Sequence, residues 1–219
     1  MEPETLNLPV LALRGLTVFP HTNLTFDVER HISMKALEVA METGQEIFLV
    51  TQREINVEKP TEQDLYAIGT ISRVTQILRL GQNSLRVMVE GGRRARLKRL
   101  WQLEPYLQGQ VETAEEPESV NHGPKTEALL RQTWSLFQDY AQLAGNVAEE
   151  VIAAALDCQE PGDLADLIAQ NIALRYDDKQ AILEELSPLV RLRKLNGFLA
   201  RERDVLGYQR QMEGKVRDE

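Results

Sequence analysis

The chain has 219 residues, with 25 Lys+Arg against 34 Asp+Glu and a formal net charge of −9. At 42% hydrophobic and 27% charged, it has the composition of a globular protein with a sizeable core, which excludes a disordered chain. No apolar run approaches the ~18 residues of a membrane helix, Met1-Glu2-Pro3-Glu4 is no secretory leader, and the lone Cys158 cannot close an internal disulfide, so a soluble protein of the reducing cytoplasm is expected.

The first half reads mainly as strands. Leu8, Val10 and Leu13 form an apolar run, Leu24 to Val28 alternates, and Ser33 is expected to cap a helix through Met34, Leu37, Val39 and Met41 that Gly44 ends. Ile47 to Val50 reads as a buried strand. Gly69 to Leu80 and Leu85 to Val89 read as antiparallel strands joined by the Gly81-Gln82-Asn83 turn. Gly91-Gly92 is read as a further turn before a strand carrying Ala95, Leu97 and Trp101.

Glu112 to Pro124 has the Glu, Pro, Asn and Gly content of a linker, and beyond it the period becomes helical. Leu129, Leu130, Trp134, Phe137 and Leu143 fit one helix face; Val147, Val151, Ile152 and Leu156 fit the next. Pro161 opens a helix with Leu164, Leu167 and Ile168, and Asp177 with Gln180 has the spacing of a capping box. Ser187-Pro188 starts a last helix that runs through Leu189, Leu192, Leu195, Leu199 and Leu206. The expectation is an α+β protein: a partly closed β-barrel with one helix over residues 1–116, a linker at 117–124, and an all-α bundle over 125–219 ending in a long helix.

No motif for catalysis stands out. The chain lacks a phosphate-cradling Gly-x-x-x-x-Gly-Lys-Ser/Thr loop, a Gly-x-Ser-x-Gly elbow and a Ser-x-x-Lys pair, and its three histidines and Cys158 have no metal-ligand spacing. Three features point to binding instead. Val18-Phe19-Pro20-His21 either presents Phe19 or packs on its own domain. The Arg93–Arg99 stretch puts Arg94, Arg96 and Lys98 on one strand face, without the interleaved aromatics of a nucleic-acid platform. The leucine stripe of the last helix serves as bundle core or, past Leu206, as an oligomer seam.

Several collinear segments resemble one family. Leu8-Pro9-Val10-Leu11-Ala12-Leu13-Arg14 with Val18-Phe19-Pro20, Glu46 to Gln52, Pro60 to Thr70, Val87 to Arg96, Leu164 to Ala169 and Lys179 to Glu184 resemble the amino-terminal, substrate-binding domain of the ATP-dependent Lon protease family, in its order and over essentially the whole chain. Gly92 departs from the larger residue usual there. The resemblance implies a PUA-like β lobe, then a helical lobe and a long helix leading toward an ATPase ring. It also implies a non-catalytic role, capturing unfolded, damaged or degron-bearing proteins and supporting a homohexamer. ATP, magnesium and the Ser-Lys proteolytic dyad belong to downstream domains, so no cofactor, metal or catalytic residue is expected in this chain. Neither a membrane nor a nucleic acid is an expected partner. Exposed apolar character nominates Phe19, Pro20, Leu24 and Met88 for substrate, and Leu199, Leu206 and Met212 for assembly. The alternative is a stand-alone PUA-like or Lon-domain protein acting as an RNA binder, through Arg94, Arg96 and Lys98, or as an adaptor.

Overall fold

A computed structural model describes residues 2–114 and 120–217. The chain divides into two compact units, one formed by residues 1–116 with 175–186 and the other by 117–174 with 187–219.

Among the described residues, the first unit holds six strands and two α-helices. They are β1 (Thr5–Leu13), β2 (Asn23–Val28), α1 (His31–Glu42), β3 (Glu46–Thr51), β4 (Ile68–Arg79), β5 (Leu85–Gln102) and β6 (Gln108–Thr113), with a helix from the later segment. The sheet order is β2-β5-β4-β3-β1-β6, and β6 also pairs with β5, which closes five strands on themselves and leaves β2 at an end. Among the described residues only β1 and β3 pair in parallel, with Val10 opposite Phe48 and Ala12 opposite Val50.

That parallel pair explains the unbroken apolar runs of the sequence. Leu11, Leu13, Ile47 and Leu49 enter one core with α1, while Val10, Ala12, Phe48 and Val50 enter a second core on the opposite face with Leu65, Ile71 and Val111. A strand covered on both faces has no position for a polar residue. Strand β2 alternates because it is covered on one face only.

Two local expectations are corrected here. Gly91-Gly92 is no turn: β5 runs straight through it for 18 residues, with a register shift opposite Ile71 and Ser72. A Cβ on Gly91 would stand 2.0 Å from the Phe19 carbonyl oxygen, so this glycine serves close packing within a strand. Ser33 caps nothing; it is buried one turn inside α1, whose N-cap residue is Arg30.

The later segment of this unit, residues 175–186, contains a short helix. The second unit contains α2 (Pro124–Ala144), α3 (Glu149–Asp157), α4 (Pro161–Asn171) and α6 (Pro188–Arg217). Residues 117–119 of the expected linker lie outside the described residues, Glu112 and Thr113 belong to β6, and Pro124 is the first residue of α2. Helix α2 ends at Gly145 in the left-handed region, φ +71°. Prolines open α4 and α6 as their sequence signals require. Helix α6 packs on α2 and α4 through Leu192, Leu195 and Leu199. Beneath them Arg191, fully buried, meets the Asp166 carboxylate and the Gly162 carbonyl, each at 3.3 Å.

Helix α5 (Tyr176–Glu184) belongs to the β unit although it is encoded between two helices of the other. Gln180 donates from Nε2 to the Ile68 carbonyl at 2.9 Å, the Tyr176 hydroxyl donates to the Arg53 carbonyl at 3.0 Å, and Arg94 Nε donates to the Leu183 carbonyl at 2.8 Å. The Asp177/Gln180 capping box is therefore absent: Arg175 is the N-cap, and Gln180 faces β4.

Candidate functional site

The register of β2, β5 and β4 sorts their side chains into two faces. Leu24, Phe26 and Val28 stand with Leu85, Val87, Val89, Val74 and Ile77 on the core face. The outward face carries three cross-strand rows: Asn23-Glu90-Arg73, Thr25-Met88-Gln76 and Asp27-Arg86-Leu78. Between the first two rows Thr75 bulges out of β4 and donates its hydroxyl to the Met88 carbonyl at 3.0 Å.

Two of the polar members of these rows hold each other, and Arg73 donates to Gln45 Oε1 outside them. Arg86 grips Asp27 with two donors, Nε to Oδ1 at 2.9 Å and Nη2 to Oδ2 at 3.2 Å. The bonds to Arg86 hold the Asp27 carboxyl below its ordinary pKa, and Asp27 raises that of Arg86. Among them Met88 is 40% exposed, Leu78 45%, and Leu80 at the hairpin tip 47%. Met88, Leu78 and Leu80 are thus exposed apolar side chains on or beside this face, and Met88 can adapt its shape to what it meets.

Of the residues nominated from sequence, Met88 alone lies exposed on this face. Phe19 is fully buried and Pro20 is buried beside it, which corrects the expectation that the loop presents them. The cause is Thr22, whose hydroxyl donates to the Phe19 carbonyl at 2.6 Å and folds the loop inward over Gly91. Leu24 is partly buried on the core side and points away from Met88. Leu199 is core, Leu206 is half-buried, and Met212 is 68% exposed. Sequence reasoning missed Leu78 and Leu80. The signal was Ile77-Leu78-Arg79-Leu80, where apolar residues occupy both parities just before the turn at Gly81.

The expected basic strand is not a platform. Arg94 is buried against the Leu183 carbonyl, Arg93 pairs with Glu4 at 2.7 Å, and Lys98 stands 3.8 Å from Glu112. Arg94 keeps the parity of Arg96, as simple alternation has it, but the C-terminal end of α5 covers Arg94 and leaves Arg96 exposed.

A groove of about 1130 Å³ in the same unit is lined by Arg14, Arg30, Ile32, Glu58, Leu103 and Pro105 among others. Its cations serve the fold. Arg30 donates to the Ala12 carbonyl and to Gln52 Oε1, each at 2.7 Å, and Arg14 meets Glu58 at 3.2 Å. Burial, then the nearby Arg14 charge, lowers the Arg30 pKa. In the helical unit, burial pushes the Cys158 thiol above its ordinary value, which keeps it protonated and unreactive at neutral pH. Among the described residues no group of three His, Cys, Asp or Glu could hold a metal ion, and no helix is long and apolar enough to cross a membrane.

Comparison with known proteins bears on residues throughout the chain. The family profile of the ATP-dependent protease La (LON) substrate-binding domain matches residues 7–201. The Lon protease of Desulforamulus reducens is 38% identical over 217 residues, which is 99% of this chain and 26% of that protein. Lon protease 1 of Bacillus subtilis is 35% identical over 211 residues, covering 96% of this chain and 27% of that protein. The chain thus spans about a quarter of the length of the curated relatives it matches. The N-terminal domain of a Mycobacterium avium complex Lon protease shares the fold with a TM-score of 0.70 at 22% identity, covering 89% of this chain and 98% of that one. A Lon N-terminal domain protein from Xanthomonas campestris does so at 0.61 and 18%, covering 87% and 96%.

Proposed function

The chain belongs to the family of Lon protease substrate-binding domains, and on that premise we propose that it holds unfolded, damaged or degron-bearing proteins for a longer ATP-dependent protease of the cytoplasm. The chain binds and does not cut. ATP, magnesium and the Ser-Lys dyad are, in this reading, the business of downstream domains.

The observation that carries the reading is the exposure of the apolar side chains Met88, Leu78 and Leu80 on the outward side of the β4–β5 hairpin, beside the Asp27–Arg86 pair. Such a row offers apolar contact without a shaped pocket, so it favours chains whose apolar side chains are exposed over folded proteins that have buried theirs. Each contact is weak, and several copies brought together multiply it. The second half of α6 supports the assembly part. Val205, Tyr208, Met212 and Val216 recur at helical spacing and are all exposed, Tyr208 at 67% and Val216 at 78%. We assign that stripe to the contact that builds a homohexamer in the longer protein.

The test is anisotropy of the unmodified chain with a permanently unfolded, carboxymethylated protein and with its folded form. Binding is expected for the unfolded form alone, and Leu78→Ser with Met88→Ser is expected to weaken it about tenfold or more. Equal binding of both forms, or no effect of the double variant, defeats the reading.

A further inference from the structure

Strand β2 is the end of its sheet: it pairs with β5 and with no other strand among the described residues. The Gly91 N–H donates to the Thr22 carbonyl at 2.8 Å, and this sets the alternation along β2. Leu24, Phe26 and Val28 direct their backbone groups at β5, while Asn23, Thr25 and Asp27 direct theirs away from it. A row of backbone donors and acceptors therefore lines an open edge.

The edge lacks the usual protections. Asn23–Val28 contains no proline and no lysine, and its pairing with β5 has no bulge. Its one charged side chain, Asp27, is gripped by Arg86 on the outward face. The edge opens onto a groove of about 190 Å³ lined by Phe26, Asp27 and Val28 together with Leu11, Leu13 and Leu16.

We infer that unfolded polypeptide is held at this edge as an added β-strand, its main chain paired with Asn23, Thr25 and Asp27. The inference deepens the substrate-binding reading and rests on it. Alternating donors and acceptors at strand spacing are complementary to an extended backbone. A folded protein satisfies those groups internally, whereas every unfolded chain offers them whatever its sequence. Alternate side chains of the added strand stand on the outward face beside Thr25, one strand away from Met88, where apolar residues gain contact. The backbone thus supplies tolerance of sequence, and the Met88 row supplies a preference for apolar segments.

The test uses the full 219-residue chain and a capped peptide of about ten alternating valine and threonine residues, a length that covers the strand with overhang. Amide exchange at Asn23, Thr25 and Asp27 is expected to slow when the peptide is added. Thr25→Pro removes one outward donor and no bond to β5, and it is expected to weaken peptide binding about tenfold, the loss of one or two backbone hydrogen bonds. If Thr25→Pro does not fold, exchange on the unmodified chain decides alone. Peptide binding with unchanged exchange at the three amides overturns the added strand and leaves the substrate-binding reading standing. Failure to bind the carboxymethylated protein at all removes that reading itself. Protection of the three amides that grows with protein concentration and needs no peptide assigns the edge to a second copy of the chain, and overturns the proposal.

Discussion

Strands β1 and β3 bury side chains on both faces, whereas β2, the segment of β5 paired with it and the segment of β4 beyond bury one face and leave the other to solvent. The same residue types serve both regions. At the centre, Phe48 and Leu49 are neighbours in sequence and belong to different cores. At the margin, Met88 and Val89 are neighbours, and only Val89 is buried. Helix α6 repeats the contrast along its length, from Leu192, Leu195 and Leu199 in the core to Met212 and Val216 in solvent. The centre of the sheet makes the molecule stable, and its margin leaves apolar atoms and backbone groups over for something else.

Four variants separate these roles. Phe48→Ala at the doubly buried centre is expected to cost the β unit about 3–5 kcal/mol, read as a fall in its urea midpoint, because a large cavity opens between packed strands. A loss under about 1 kcal/mol would make the centre no more demanding than the margin. Asp166→Ala leaves Arg191 charged and buried in the helical unit, and about 3 kcal/mol of its stability should go with it, measured by helical circular dichroism.

Lys179 on α5 gives a pH signature. Burial lowers its pKa to about 8, against roughly 10.4 in an unfolded chain. Below pH 8 the lysine is charged in both states and the desolvation penalty is complete. Between the two values the folded state loses its proton first, so stability rises with pH, and above both the penalty is gone. Lys179→Met should flatten that rise when urea midpoints are compared at pH 7, 9 and 10.5. An unchanged slope would place the penalty elsewhere. The smallest effect belongs to the margin: Leu78→Ser with Met88→Ser should leave thermal stability within about 0.5 kcal/mol while weakening unfolded-chain binding. A large loss of stability would show that these side chains pack in solution.

The legible parts of the sequence were those governed by neighbours. Alternation placed β2, the Gly81-Gln82-Asn83 turn placed the β4–β5 hairpin, and prolines placed the starts of α4 and α6. What escaped depended on distant groups. Gly91-Gly92 has the composition of a turn, yet it lies in a strand because the Phe19 carbonyl presses on it from another segment. Gln180 sits at capping distance from Asp177 and instead reaches Ile68. Of the proposed binding face, Met88 was legible as an apolar residue on the polar parity of its strand. Leu78 and Leu80 were not, because their exposure follows from a hairpin whose tip no second layer covers.

The return of α5 to the β unit reverses the usual order of synthesis and completion. The ribosome releases β1 to β6 first, but the Leu183 carbonyl that receives buried Arg94, and the Gln180 amide that reaches Ile68, arrive only after α2, α3 and α4 have been made. A nascent chain that has emerged only as far as residue 116 thus lacks the helix on which Arg94 and Ile68 close. The unit begun first is finished late, and a gene cut at that point would express an incomplete body.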